Sequence, residues 1–179
     1  LLMANPADTA LEKAARLEPL SDDDAYALLQ VPASDLGALC EVAGAMRDSR
    51  HGRTITYSPK VFLPVTNLCR DRCSYCTFRK DPGDAGEWTM TPDEITSWSR
   101  RGRDLGCIEA LLCLGDRPEV AFRGFHEFLA GHGARSTAEY VALACRVALA
   151  EGLLPHTNAG LLTKAEMAML RPLNASMGL

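Results

Sequence analysis

The sequence has no excess of positive charge: 19 Lys and Arg face 23 Asp and Glu, for a net charge of -4. Nothing in that balance draws the chain to a phosphate backbone or an anionic bilayer, so nucleic acid is not an expected partner. It also lacks an uninterrupted apolar run of about 18 residues, the length a membrane span needs. The opening LLMANPADTA has neither the charged start nor the apolar core of a secretory signal. Internal repeats and low-complexity stretches are missing as well. What is there, 47% hydrophobic and 23% charged residues, is the mix of a globular, cytoplasmic protein with enough apolar surface for a core. The chain does not start with Met, and RPLNASMGL stops without a polar tail. Both ends are expected to lie inside a longer chain.

The seven cysteines are an odd number. Cys40, Cys107, Cys113 and Cys145 sit in apolar stretches, where reduced, buried thiols are expected rather than a disulfide framework. The other three crowd into CRDRCSYCTFR, as Cys69, Cys73 and Cys76.

Residues 1–53 read as a helical extension of three helices. Ser21 and the acids Asp22, Asp23 and Asp24 open the second, and Leu36, Leu39, Cys40, Ala43 and Met46 form the apolar stripe of the third. From residue 54 the texture changes. RTITYS alternates as an edge strand would, and KVFLPV is a β-branched, buried-strand run that Pro64 places near a boundary. Thr91 with Pro92, Asp93 and Glu94 caps a helix running to Leu105, which Gly106 closes. CIEALLCLG is a second strand. EVAFRGFHEFLAGHG and a segment capped by Ser136 are two helices, LLPHTNAG a third strand and turn, TKAEMAMLRP a helix, and NASMGL the start of a fourth strand. This alternation predicts an α/β fold with a parallel sheet. A closed (β/α) barrel takes roughly 250 residues, so residues 54–179 are expected to be a partial TIM-like barrel, its first half. Alone, such a piece would leave sheet edges and apolar faces uncovered and is expected to be inactive.

The clustered thiols admit several readings. A structural zinc takes four ligands, usually in close pairs; here a fourth would come from His51 or Cys107, neither in a paired spacing. That zinc-stabilised binding module, without catalysis, is the rival from another class. A [4Fe-4S] cluster can be held by three cysteines of one loop, which leaves one iron open to a ligand. The loop follows the first parallel strand, at the carboxyl ends where α/β folds collect ligands.

Cys69-x-x-x-Cys73-x-x-Cys76, with Tyr75 before the third cysteine, resembles the signature loop of the radical S-adenosylmethionine (SAM) enzymes. ITYSPKVFLPVTNLCRDRCSYCTFR, LCLGDRPE and GLLPHTNAGLLTKAEMAMLRPLNASMGL are similar to one branch, the FO synthases, over residues 54–179. The resemblance implies that Cys69, Cys73 and Cys76 bind a [4Fe-4S] cluster and that SAM chelates its fourth iron. It implies that Tyr75 supports the adenine. It also implies a lyase step, in which a tyrosine-derived hydroxybenzyl adduct of ribitylaminouracil cyclises with loss of ammonia to the deazaflavin FO. Its partners would be that small-molecule adduct, an electron-donor protein, and an adduct-forming radical SAM domain or subunit. A menaquinone- or biotin-type radical enzyme, or a bifunctional synthase, are the neighbouring alternatives.

LGDRPE stands where many members of the superfamily carry a Gly-Gly-Glu turn that receives the methionyl ammonium. It departs from that pattern at Leu114 and Asp116, so Gly115 and Asp116 are either cofactor contacts or simply a tight turn. His156 and Asn158, two apart on the third strand, share a face; these two and Ser176 are candidate substrate residues. Arg79 and Arg117 would meet a carboxylate or stay solvated.

Overall fold

The computed structural model describes residues 5–178, in two compact units that divide between Thr56 and Tyr57. The first is helical: α1 (Pro6–Ala15), α2 (Asp22–Leu29), a short 3₁₀ turn and α3 (Leu36–His51). Asn5 caps α1 by accepting from the Ala7 N–H at 3.1 Å, and Ser21 with Asp24 closes a reciprocal capping box on α2. Such caps satisfy N–H groups the helix itself leaves orphaned. Only Ala7, Ala10 and Ala14 of α1 are buried in this unit's helices, and no residue of α2 or α3 is. Cys40, expected inside, is exposed. Within the unit α3 packs on α1, whose buried contributions are alanines too small to cover its stripe.

The second unit is a four-stranded, all-parallel sheet in the order β1 (Lys60–Thr66), β2 (Glu109–Leu114), β3 (Leu154–Asn158), β4 (Ser176–Gly178). Between strands run α4 (Pro92–Asp104), then α5 (Pro118–Ala121), α6 (Arg123–Gly131) and α7 (Thr137–Ala150), then α8 (Lys164–Leu170). Thr91 caps α4 and Ser136 caps α7 as their sequences require, and Gly106 turns the chain at φ +85° after α4. RTITYS does not form a strand. Its would-be partner ends with that Gly106 turn, so β2 offers ladder positions only from Glu109 onward. The first of the two helices expected after β2, over EVAFRGFHEFLAGHG, breaks at Phe122, which is extended at φ -127° and packs its ring against the core.

Pro64 lies inside β1, opposite Cys113, rather than at its end. Among the described residues β1 is the edge of the sheet, where a missing N–H is tolerated; the register then shifts between Pro64 and Thr66.

Alternation gives the sheet two faces. Leu63, Val65, Ala110 and Leu112 are wholly buried on the helix side with Ile95, Leu129, Val141, Ala144 and Cys145. Gly102 lets α4 settle on β1, since a Cβ there would lie 2.6 Å from the Val61 Cβ. Cys107 and Cys113 are half-buried, and only Cys145 is the interior thiol expected. Burial pushes the Cys145 thiol above its ordinary value. On the other face, pairing aligns Phe62, Leu111, His156 and Ser176 in one row and Pro64, Cys113, Asn158 and Gly178 in the next.

Candidate functional site

The cysteine loop leaves the carboxyl end of β1 and is closed at its base by Asn67. The Asn67 side chain donates to the Gly86 carbonyl at 2.8 Å and accepts from the Trp88 N–H at 2.8 Å, while the Lys80 N–H donates to the Asn67 carbonyl at 2.9 Å. Thr66 and Thr89 share a hydroxyl contact of 2.7 Å beside this closure. The segment from 69 to 80 is thereby held as a loop over the strand ends.

Inside it, Cys73 and Cys76 are exposed and Cys69 is half-buried. The Cys76 N–H donates to the Cys73 carbonyl at 3.1 Å, a turn that keeps those two residues adjacent. Cys69 Sγ accepts two backbone N–H groups, from Asp71 at 3.4 Å and from Asp116 at 3.2 Å. Arg79 is ion-paired to Asp81, whose carboxylate raises the guanidinium above its ordinary value. The Arg79 Nε is buried with no hydrogen-bond partner. Tyr75 projects outward, 86% exposed.

The end of β2 is pressed against this loop. Gly115 donates its N–H to the Thr66 carbonyl at 2.9 Å, and a Cβ on it would stand 2.6 Å from the Cys69 Cβ and closer still to the Leu68 carbonyl oxygen. Only glycine fits that approach. Asp116 is buried, 7% exposed, and its carboxylate is engaged on both sides: Oδ2 accepts from Arg70 Nε at 2.6 Å and Oδ1 from the Leu161 N–H at 3.2 Å. Arg117, left-handed at φ 38°, donates to Glu166 at 2.7 and 3.0 Å and to the Leu161 carbonyl at 3.0 Å. Arg117 holds the Glu166 carboxyl down at about 2. Both arginines whose role the sequence left open therefore meet carboxylates.

On the inner face, Ser176 Oγ and His156 Nδ1 are 2.5 Å apart, and Asn158 donates to Cys113 Sγ at 3.8 Å. A Cβ on Gly178 would strike Asn158 Oδ1 and come within 3.8 Å of His156 Nε2. Gly178 thus makes room for the Asn158 side chain.

The structure gathers Cys69, Gly115 and Asp116 at one place and His156, Asn158 and Ser176 at another on the same sheet. It does not close the three thiols around a point: among the described residues no three His, Cys, Asp or Glu side chains are grouped to hold a metal ion. The donors nonetheless suit an iron–sulfur cluster. Three thiols share one loop, one already receives two N–H bonds of the kind that stabilise thiolate sulfur, and the buried, unpartnered Arg79 Nε belongs to the same loop. Arg70 and Leu161 were not singled out by the sequence. Adjacency to Cys69 was the one available hint for Arg70.

No protein-family model matches the chain. Among curated proteins it is 44% identical over 175 residues to the FO synthase of Mycobacterium tuberculosis, covering 89% of this chain and 20% of that protein. It is 49% identical over 125 residues to the 7,8-didemethyl-8-hydroxy-5-deazariboflavin synthase of Methanosarcina mazei, covering 70% of this chain and 37% of that one. The chain is homologous to part of the FO synthases. It spans well under half the length of these relatives. Among solved structures, methylornithine synthase matches with a TM-score of 0.67 at 19% identity, over 93% of this chain and 45% of that one. HydG, a maturase of the [FeFe]-hydrogenase, matches at 0.65 and 18%, over 96% and 35%. These likenesses show a shared fold, the parallel, helix-covered sheet described above, over nearly all of this chain. No helix among the described residues is long and apolar enough to cross a membrane.

Proposed function

We propose that the protein carrying this chain is an FO synthase that performs the ring-closing step of deazaflavin formation. The observation that carries the reading is the cysteine loop at the carboxyl end of β1, set in a segment 44–49% identical to FO synthases. Cys69, Cys73 and Cys76 would hold a [4Fe-4S] cluster. Bound together, cluster and SAM supply a radical able to take a hydrogen atom from the substrate.

The chain's own residues bind, orient and shield. Tyr75 offers an exposed aromatic face for the adenine, and the backbone at Gly115 lies beside Cys69 where the methionyl group would rest. His156 has Nδ1 committed to Ser176, which leaves Nε2, on the side of Gly178, to meet a substrate. There it can take or give a proton as the hydroxybenzyl adduct of ribitylaminouracil closes its ring and releases ammonia. Asn158 Oδ1, beside it, can accept from a uracil N–H or a ribityl hydroxyl. An electron-donor protein is required to reduce the cluster. The adduct is supplied by a second radical SAM unit, fused or separate; the chain's smaller share of the mycobacterial protein than of the Methanosarcina one favours fusion in the former arrangement.

The test is to purify the whole protein without oxygen, reconstitute it with iron and sulfide, and supply SAM, reductant and the adduct. Formation of fluorescent FO is expected. SAM cleavage with no FO would overturn the substrate assignment, and retained zinc without cluster absorbance would overturn the enzyme reading.

A further inference from the structure

We infer that Asp116 is a positioning residue, clamping the cysteine loop to the ends of β2 and β3 through Arg70 and Leu161, and not a ligand of SAM. The inference rests on the reading that Cys69 holds a cluster. It departs from the expectation, drawn above from the sequence, that Asp116 is a cofactor contact.

Four contacts converge on Asp116. Its N–H donates to Cys69 Sγ at 3.2 Å, its carbonyl accepts from the Arg70 N–H at 3.0 Å, Oδ2 accepts from Arg70 Nε at 2.6 Å, and Oδ1 accepts from the Leu161 N–H at 3.2 Å. Arg70 is thus held twice, by main chain and by side chain, next to the first cysteine. The site is also sterically shut. A Cβ on Gly160, a residue at φ +69°, would lie 2.5 Å from Asp116 Oδ1, and a Cβ on Gly115 would collide with Leu68 and Cys69. An ammonium ion approaching the carboxylate would have to displace either the partly buried Arg70 pair or the Leu161 N–H, and Asp116 itself is 7% exposed. Displacing Arg70 would only exchange one cation for another at this carboxylate, at the loss of the 2.6 Å bond that holds Arg70 beside Cys69.

The consequence for the site lies in the Asp116 N–H. Hydrogen bonds to cluster sulfurs tune the potential of the cluster and hold its ligands in place. The carboxylate fixes the residue that makes one of these bonds, so loosening the side chain loosens the grip on Cys69. Arg117 reinforces the same join from the next position, since it reaches the Leu161 carbonyl and Glu166.

The test uses the whole protein, reconstituted anaerobically, as parent, Asp116→Asn, Arg70→Gln and the double variant. Two quantities are read: the rate of cluster loss to an iron chelator, and the dissociation constant of SAM from its effect on the cluster's EPR signal. Each single variant is expected to lose its cluster about five- to tenfold faster, the double variant no faster than the worse single one, as members of one unit behave. SAM affinity is expected to stay within about threefold. SAM binding weakened tenfold or more by Asp116→Asn would overturn the inference, because that is the loss expected of a direct charged contact. Should Asp116→Asn fail to fold, Arg70→Gln decides alone, its side chain being 31% exposed; a chelation rate within twofold of the parent overturns the clamp. A parent that binds no iron and sulfide overturns the cluster reading, and this inference with it.

Discussion

The two faces of the β1–β4 sheet are made from alternate residues of the same strands, yet they differ in kind. Toward the helices stand Leu63, Val65, Ala110 and Leu112, all wholly buried. Toward the other side stand His156, Asn158, Ser176 and Cys113 with their polar atoms paired to one another, and Phe62, 46% exposed. A parallel sheet must cover an apolar face to fold, and here one face does that work. The other is thereby free to carry polar groups, the ones proposed above to meet the substrate. Damage to the first face should therefore read out as lost stability and damage to the second as lost chemistry.

The comparison can be broken in order of expected effect. Cys76→Ser, on the exposed loop, should abolish FO formation and cluster binding while thermal unfolding stays where it was; a melting shift would show the loop to be structural. His156→Gln should lower the rate of FO formation by about 10²-fold, the usual scale for a positioned acid or base, with stability changed by less than about 0.5 kcal/mol. Leu112→Ala should do the reverse, costing about 2–5 kcal/mol in denaturant unfolding, with turnover per folded molecule retained. Gly115→Ala lies between the faces: overpacking against Leu68 and Cys69 should cost about 1–3 kcal/mol and quicken cluster loss, so both readouts move.

The smallest effect is acidic. The Arg117 partner holds the Glu166 carboxyl at about 2, against an ordinary value of 4.5. A carboxyl depressed on folding stabilises the native state above the ordinary value, and that contribution is lost as pH falls from 4.5 toward 2. Acid unfolding of Glu166→Gln should be flatter than that of the parent over this window.

What the sequence made legible was local. Thr91 with Pro92 and Glu94, Ser136, and Gly106 fix helix ends with their own atoms, and the β-branched or apolar runs of β1 and β2 announce themselves. The cysteine spacing likewise needed no three-dimensional partner. RTITYS misled because alternation says nothing of whether an adjacent strand exists to pair with. Cys40 misled because a stripe shows which way a helix would bury, not whether anything is large enough to cover it. The Arg70–Asp116 join was illegible for a different reason: its partners are 46 residues apart and meet only once β1 and β2 lie side by side.

The most direct measurement is a cysteine panel in the whole protein, each of the seven replaced by serine in turn, with iron, sulfide and FO formation measured after anaerobic reconstitution. The account predicts that Cys69, Cys73 and Cys76 are each indispensable for cluster and product, and that Cys40, Cys107, Cys113 and Cys145 are not. Retention of cluster and FO formation when any one of the first three is replaced would contradict it.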